Sequence, residues 1–281
     1  MMTRTALAWL LFATSAIHAQ SAAGTQPTFE AASIRQHEAE DRTAGRVEFL
    51  PGGRFAAANV PLIILIATAW RLPFQGPRFS YPPEIMTDRY DVRATASPDA
   101  FPPGISIRDR DEKMRLMLQA LLTERYRLRM VRETKVLPVY VLTLAKGGPR
   151  LAKAAIAEKD CSVRTMPNGG QPADPSIDGG IVCHRVWGGA GPGIHGAAVE
   201  MADLALYLDG TDDRAVIDRT GLQGLYTIST EKYQQNAAPA AVDSGLPTLS
   251  DVLARMGLEL KRDTAPVEVY RIEHIEKPSA N

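Results

Sequence analysis

The chain has 281 residues, 45% of them apolar and 23% charged, and its 32 basic and 32 acidic side chains cancel to a formal net charge of zero. That much apolar material supplies a core for one large or two ordinary domains. A balanced charge gives no whole-molecule field to gather nucleic acid or an anionic membrane, so neither is expected as a partner.

Arg4, the apolar run from Ala6 to Ala16 and the small-residue site Ile17-His18-Ala19 read as an export signal over residues 1–19. No later run reaches the ~18 apolar residues of a membrane span, so the mature chain is expected to be soluble and periplasmic or secreted. Phe29 to Ile34 is a short strand candidate, followed by the charged run HEAEDR, a solvated loop. Val47–Phe49 and Arg54–Ala57 flank Pro51-Gly52-Gly53, whose glycines supply the positive φ of a hairpin turn. After Pro61, Leu62, Leu65, Ile66 and Ala69 fall on one helical face.

The Pro-rich loop from Phe74 to Asp88 carries Phe74, Phe79 and Tyr81, which either line a groove or close over the sheet as a satellite cluster. Tyr90, Val92 and Ala94 alternate as a strand, and Met114, Met117, Leu118, Leu121 and Leu122 form the core stripe of a second helix. Arg125, Arg127 and Arg129 then read as alternate residues of a strand, a cationic face for a carboxylate- or phosphate-bearing partner or else a solvated face. A short alternating strand, a polar turn and a second strand, within the stretch from Leu118 to Leu144, complete this part.

The pattern recurs. At an offset of 130, Leu128, Arg132, Thr134, Val139 and Tyr140 meet Leu258, Arg262, Thr264, Val269 and Tyr270. At 139, the first helix face meets Met201, Leu204, Ala205 and Leu208. Tyr226 and Ile228 repeat the strand, Thr248 and Asp251 cap a helix with Leu249, Val252, Leu253 and Met256 on its face, and Gly257 ends it. The expected fold is α+β: two tandem β-α-β-α-β-β units from an internal duplication, residues 27–146 and 197–281, each a small sheet packed by two helices. A Gly/Pro-rich connector, 147–196, joins them, and Gln234 to Gly245 is a surface excursion.

The connector holds both cysteines, Cys161 and Cys183, and a disulfide is the natural reading for an exported chain. The alternative is a zinc site of Cys161, Cys183, His184 and His195, whose spacing fits no CxxC or HxxxH pattern. Trp187 either packs on the disulfide or faces a partner. His37, His184, His195 and His274 fall into no HExxH and serve no G-x-S-x-G serine, and the glycine pairs at 52–53 and 188–189 lack phosphate-loop context. No catalytic residue, metal or cofactor is assigned.

Phrases spread over residues 29–281 resemble an uncharacterised family of exported bacterial proteins, the soil-associated family. They include Phe29-Glu30-Ala31-Ala32-Ser33-Ile34, Asn59-Val60-Pro61-Leu62, Leu121-Leu122-Thr123-Glu124-Arg125-Tyr126, Asp218-Arg219-Thr220-Gly221 and Glu273-His274-Ile275-Glu276-Lys277-Pro278. The chain departs from it at Gly76-Pro77-Arg78-Phe79, where Phe stands at the usual Trp place. Related domains fused to membrane metallopeptidases of the antibiotic-sensor type imply extracytoplasmic sensing, with a membrane sensor as one partner. Each half also looks like the short N-terminal domain of secretins and TonB-dependent receptors, which implies a protein partner. The expected function is non-catalytic recognition of an envelope protein or peptide, with Arg125, Arg127, Arg129, Phe79 and Tyr81 as contact candidates. The alternatives are an envelope-polymer hydrolase with its site between the units and a structural envelope protein.

Overall fold

A computed structural model describes residues 26–38, 45–73, 75–161, 182–211, 213–234 and 245–278. The signal expected over 1–19, Phe74, the interior of the cysteine-closed loop and most of the Gln234–Gly245 excursion lie outside these residues. The first half builds β1 (Ala31–Gln36), β2 (Arg46–Leu50), β3 (Arg54–Pro61), α1 (Leu62–Trp70), β4 (Phe79–Ser80), β5 (Arg89–Thr95), α2 (Ile107–Arg125) and β6 (Arg129–Leu144). The second builds β7 (Ala152–Lys153), β8 (Trp187–Gly189), β9 (Gly193–Val199), α3 (Met201–Asp209), β10 (Ala215–Asp218), β11 (Tyr226–Ser229), α4 (Leu249–Arg255) and β12 (Leu258–His274). No helix among the described residues is long and apolar enough to cross a membrane.

The fold is mixed α+β, with three four-stranded sheets ordered β1-β5-β3-β2, β7-β11-β9-β8 and β10-β6-β12-β4. The first two share a strand plan. In each, three residues of one strand step past two of its neighbour, Ala57 to Val60 opposite Val92 and Tyr90 in one and Gly196 to Val199 opposite Ile228 and Tyr226 in the other. Each bulge leads straight into a nine-residue helix. Asn59 within the first bulge takes positive φ, and Asp91 accepts its backbone N–H at 2.8 Å.

The third sheet differs from the expected ending of two short strands. β6 and β12 are each one long strand, paired antiparallel from Leu144↔Leu258 through Met130↔Ile272. The polar stretch that resembled a turn is the exposed middle of this ribbon, where Arg132 pairs across the strands with Glu268. The pair at the centre is Val136↔Pro266, residues 130 positions apart, the offset expected from the sequence pattern. The expected connector is also shorter than drawn, because β7, β8 and the start of β9 lie within it. There Gly188 approaches so closely that a Cβ would sit 1.9 Å from the Gly193 carbonyl oxygen, which only glycine permits.

Among the described residues two large apolar cores result, beside two smaller clusters around Val139 and around the disulfide. One gathers Leu65 and Ile66 of α1, Met114, Leu118 and Leu122 of α2, and Phe55 and Val92 of the first sheet. The other gathers Leu204 and Leu208 of α3, Leu253 of α4, Ile194, Ile228 and Leu142. Each such fully buried side chain contributes roughly 1.5–3 kcal/mol over an exposed one. The helices closing the cores differ in length: α2 has 19 residues and α4 seven. Among the described residues, nothing before α4 matches the N-terminal turns of α2.

Candidate functional site

Among the described residues, an open cleft of about 1000 Å³ lies beside the start of α4. Its floor is the central sheet: Tyr140 on β6 and Arg262 on β12 are direct cross-strand partners, with Leu260 beside them. One wall is α3, presenting Tyr207. The other is the end of β8, Gly188 and Gly189, with Thr248 and Ser250 at the start of α4 and Tyr233 nearby. In the first half the position matching Gly189 is Leu50, whose carbonyl accepts a bond from Arg110 on the extra turns of α2. The corresponding space there is filled by helix.

Three phenols give this cleft its chemistry. Burial raises the Tyr207 phenol. Burial, and then the neighbouring Tyr207, pushes Tyr233 up to about 12, so both stay protonated donors across the physiological range. Tyr233 is held by its backbone N–H, which donates to the Ala190 carbonyl at 2.9 Å. The guanidinium of Arg214 lies 5.5 Å from the centre of the Tyr140 ring. The described lining contains Asp213 as its single carboxylate and neither histidine nor cysteine. It offers ring faces, hydroxyl donors, a guanidinium and glycine backbone, a set suited to holding a ligand.

A second polar cluster sits where the halves meet. His184 Nδ1 lies 2.8 Å from Asp203 Oδ2, and its Nε2 lies 2.9 Å from Glu158 Oε2. Arg71 reaches Asp203 at 3.0 Å, and Arg108 reaches Glu200 at 2.6 Å. The bond to Asp203 raises the His184 pKa against burial, with Glu158 adding to it. Burial would raise the Asp203 carboxyl, but the bonds from His184 and from the Glu200 backbone N–H outweigh it and hold it low. With His184 protonated, three cations face three carboxylates. Ligand atoms of His184, Glu200 and Asp203 come within 4.8 Å of one another, a spacing open to a metal ion, but the arginines already neutralise both acids. The arrangement is an ion-pair clasp between the first half, through Arg71 and Arg108, and the second.

The sequence-predicted contact residues are not gathered. Arg125 is the last residue of α2, Arg127 stands at φ 50 beyond it, and Arg129 opens β6 beside Glu273 at 3.7 Å, so they share no strand face. Helix α2 persists to Arg125 because its apolar stripe continues through Leu121 and Leu122. Phe79 is buried in β4 with its ring centre 5.0 Å from that of Tyr81, and both join the first core as the satellite cluster. Cys161 and Cys183 form a disulfide, which removes both thiolates from the zinc alternative. His195 stacks on Trp187 with ring centres 4.5 Å apart, His37 pairs with Asp91 at 2.9 Å and His274 with Glu276 at 2.8 Å.

Sequence reasoning missed Tyr140, Tyr207, Tyr233 and Arg262 as a group. The one signal in the sequence was that the apolar helical pattern before β12 is shorter than the one before β6. A family model described as a protein of unknown function, DUF3738, matches residues 64–275. No curated protein and no solved structure matches the chain.

Proposed function

The chain belongs to the DUF3738 family, a family of unknown function, and from that premise we propose an exported recognition module whose second half binds an extended peptide segment of an envelope partner in the cleft between α3 and the central sheet. The observation that carries this reading is the lining itself: Tyr140, Tyr207 and Tyr233 with Arg262 around glycine backbone. Tyrosine supplies large contact area at low conformational cost, and hydroxyls and backbone adapt to a peptide's amides. The disulfide is compatible with export. The two halves are copies of one unit in this account, supported by the shared strand plan, the matched bulges and the ribbon centred on Val136 and Pro266. Among the described residues the second copy, with its short α4, leaves open the space that the first copy fills.

The test is to select peptides from a random display library against the mature oxidised protein and titrate them calorimetrically. Tyr207→Ala and Arg262→Glu are expected to weaken binding by roughly tenfold or more, as for a buried anchor at a contact centre. Both variants should still be folded at the titration temperature, although Tyr207→Ala gives up packing on the second core. Peptides that bind both variants like the parent would place recognition elsewhere. If no peptide is enriched and the protein instead shortens an envelope polysaccharide, the hydrolase reading takes its place.

A further inference from the structure

The open face of the first sheet carries a charge pattern that the fold does not require. Ile34, Phe55, Val92 and Ala94 point into the core, so Arg35, Arg93 and Arg54 project from the opposite face, and all three are exposed. Arg35 stands opposite Asp91, Arg93 opposite both Ser33 and Ala56, and Arg54 opposite Thr95. The three arginines therefore step diagonally across β1, β5 and β3, at the ~7–8 Å spacing of diagonal neighbours in a sheet. Between them lie small side chains, Ser33, Ala56 and Ala58, which leave the surface flat.

The acids on this face are engaged elsewhere. Asp91 accepts the Asn59 N–H at 2.8 Å and pairs with His37 at 2.9 Å, while Glu48 faces Arg46 at 3.8 Å. Arg89 donates to the Asn59 carbonyl at 2.8 Å. Among the described residues neither Arg35 nor Arg93 has a carboxylate within ion-pair distance. The second sheet makes the same ladder with Ala152, Ser229 and Gly193 at the three matching positions, so strand pairing and core packing need no arginine there. Arg54 Nε donates to the Pro51 carbonyl of its own turn at 3.1 Å, which leaves its other N–H groups, with the guanidiniums of Arg35 and Arg93, as a specific charge surface.

We propose that this face docks an acidic peptide segment, laid in extended form across β1, β5 and β3 with its carboxylates on Arg35, Arg93 and Arg54. Each guanidinium fork can take a carboxylate through two N–H donors. Alternate side chains of an extended chain recur at ~6.8 Å, a step that flexible glutamates stretch to meet the diagonal. This surface lies on the opposite half from the tyrosine cleft and acts independently of it.

The test uses a labelled peptide of alternating glutamate and alanine, titrated by fluorescence anisotropy into the mature protein at low and at physiological salt. Binding is expected, weaker at the higher salt. Arg93→Glu and the double change Arg35→Glu with Arg54→Glu should each weaken it by ~10-fold or more, with melting temperatures unchanged, because reversing one partner of a contact pair adds repulsion. Tyr207→Ala in the cleft should leave this affinity unaltered, which separates the two surfaces. The proposal is overturned if the peptide does not bind, if it binds Arg93→Glu as well as the parent, or if oligogalacturonate or phosphatidylglycerol vesicles displace it at lower carboxylate or phosphate concentration.

Discussion

Gly257 and Arg127 occupy matching stations, each just past the end of a helix and each with positive φ, 75° and 50°. Glycine takes that conformation without a Cβ penalty, whereas arginine tolerates it at some cost. Gly257 is also crowded, since a Cβ there would lie 2.2 Å from the Gly148 carbonyl oxygen. Gly257→Ala should therefore cost about 2 kcal/mol or more in chemical denaturation, from strain and clash together. Arg127→Gly should change stability by less than ~1 kcal/mol; a loss as large as that of Gly257→Ala would show Arg127 to be anchored by its side chain. The helix end at Gly257 was legible because glycine announces it. The left-handed turn at Arg127 was not, because an arginine hides it, and the alternation of Arg125, Arg127 and Arg129 then imitated a strand. The cleft tyrosines come from positions 140, 207 and 233, and no local pattern ties residues so far apart in the chain.

At the scale of elements, periodicity carried most of the reading. The apolar faces of α1, α2, α3 and α4 are buried as their spacing requires. β6 was only half legible, because a two-residue alternation survives at Val139 and Val141 but is lost where both strands are solvated. One strand thus contains two energetic regimes. Leu142 is fully buried in the second core, while Val136 at the centre of the ribbon is 68% exposed. Leu142→Ala is expected to lower the unfolding free energy by about 2–5 kcal/mol and Val136→Thr to change it by less than ~0.5 kcal/mol, both from urea midpoints. Comparable losses at the two positions would mean that the middle of the ribbon is covered. The difference between α2 and α4, 19 residues against seven, was present in the sequence as a missing stretch of pattern. Its consequence needed the third dimension, because only the bond from Arg110 to Leu50 shows which space the extra turns fill.

For the molecule as a whole, the two halves are joined by the β6–β12 ribbon and by the clasp around His184. The clasp imposes a pH dependence whose sign follows from its shifts. The pKa of His184 is raised, so its stabilisation is complete below the ordinary imidazole range and is lost as pH rises through the raised value. That of Asp203 is lowered, so its contribution is complete above the ordinary carboxylate range and is lost as pH falls through the lowered value. The clasp is intact from about pH 4 to 6.5 and weakens on the alkaline side. His184→Asn, which keeps a residue tolerant of its φ of 57°, should cost about 1–3 kcal/mol near pH 6 and flatten the alkaline decline of the thermal midpoint. An unaltered decline would assign it to other groups.

Recognition through the cleft is the central claim, and amide hydrogen exchange of the oxidised protein with and without a selected peptide tests it most directly. Slowed exchange is expected at residues 188–190, 207–211 and 258–262, with the arginine face of the first sheet unchanged. Protection confined to the first sheet, or none at a saturating peptide concentration, would contradict it.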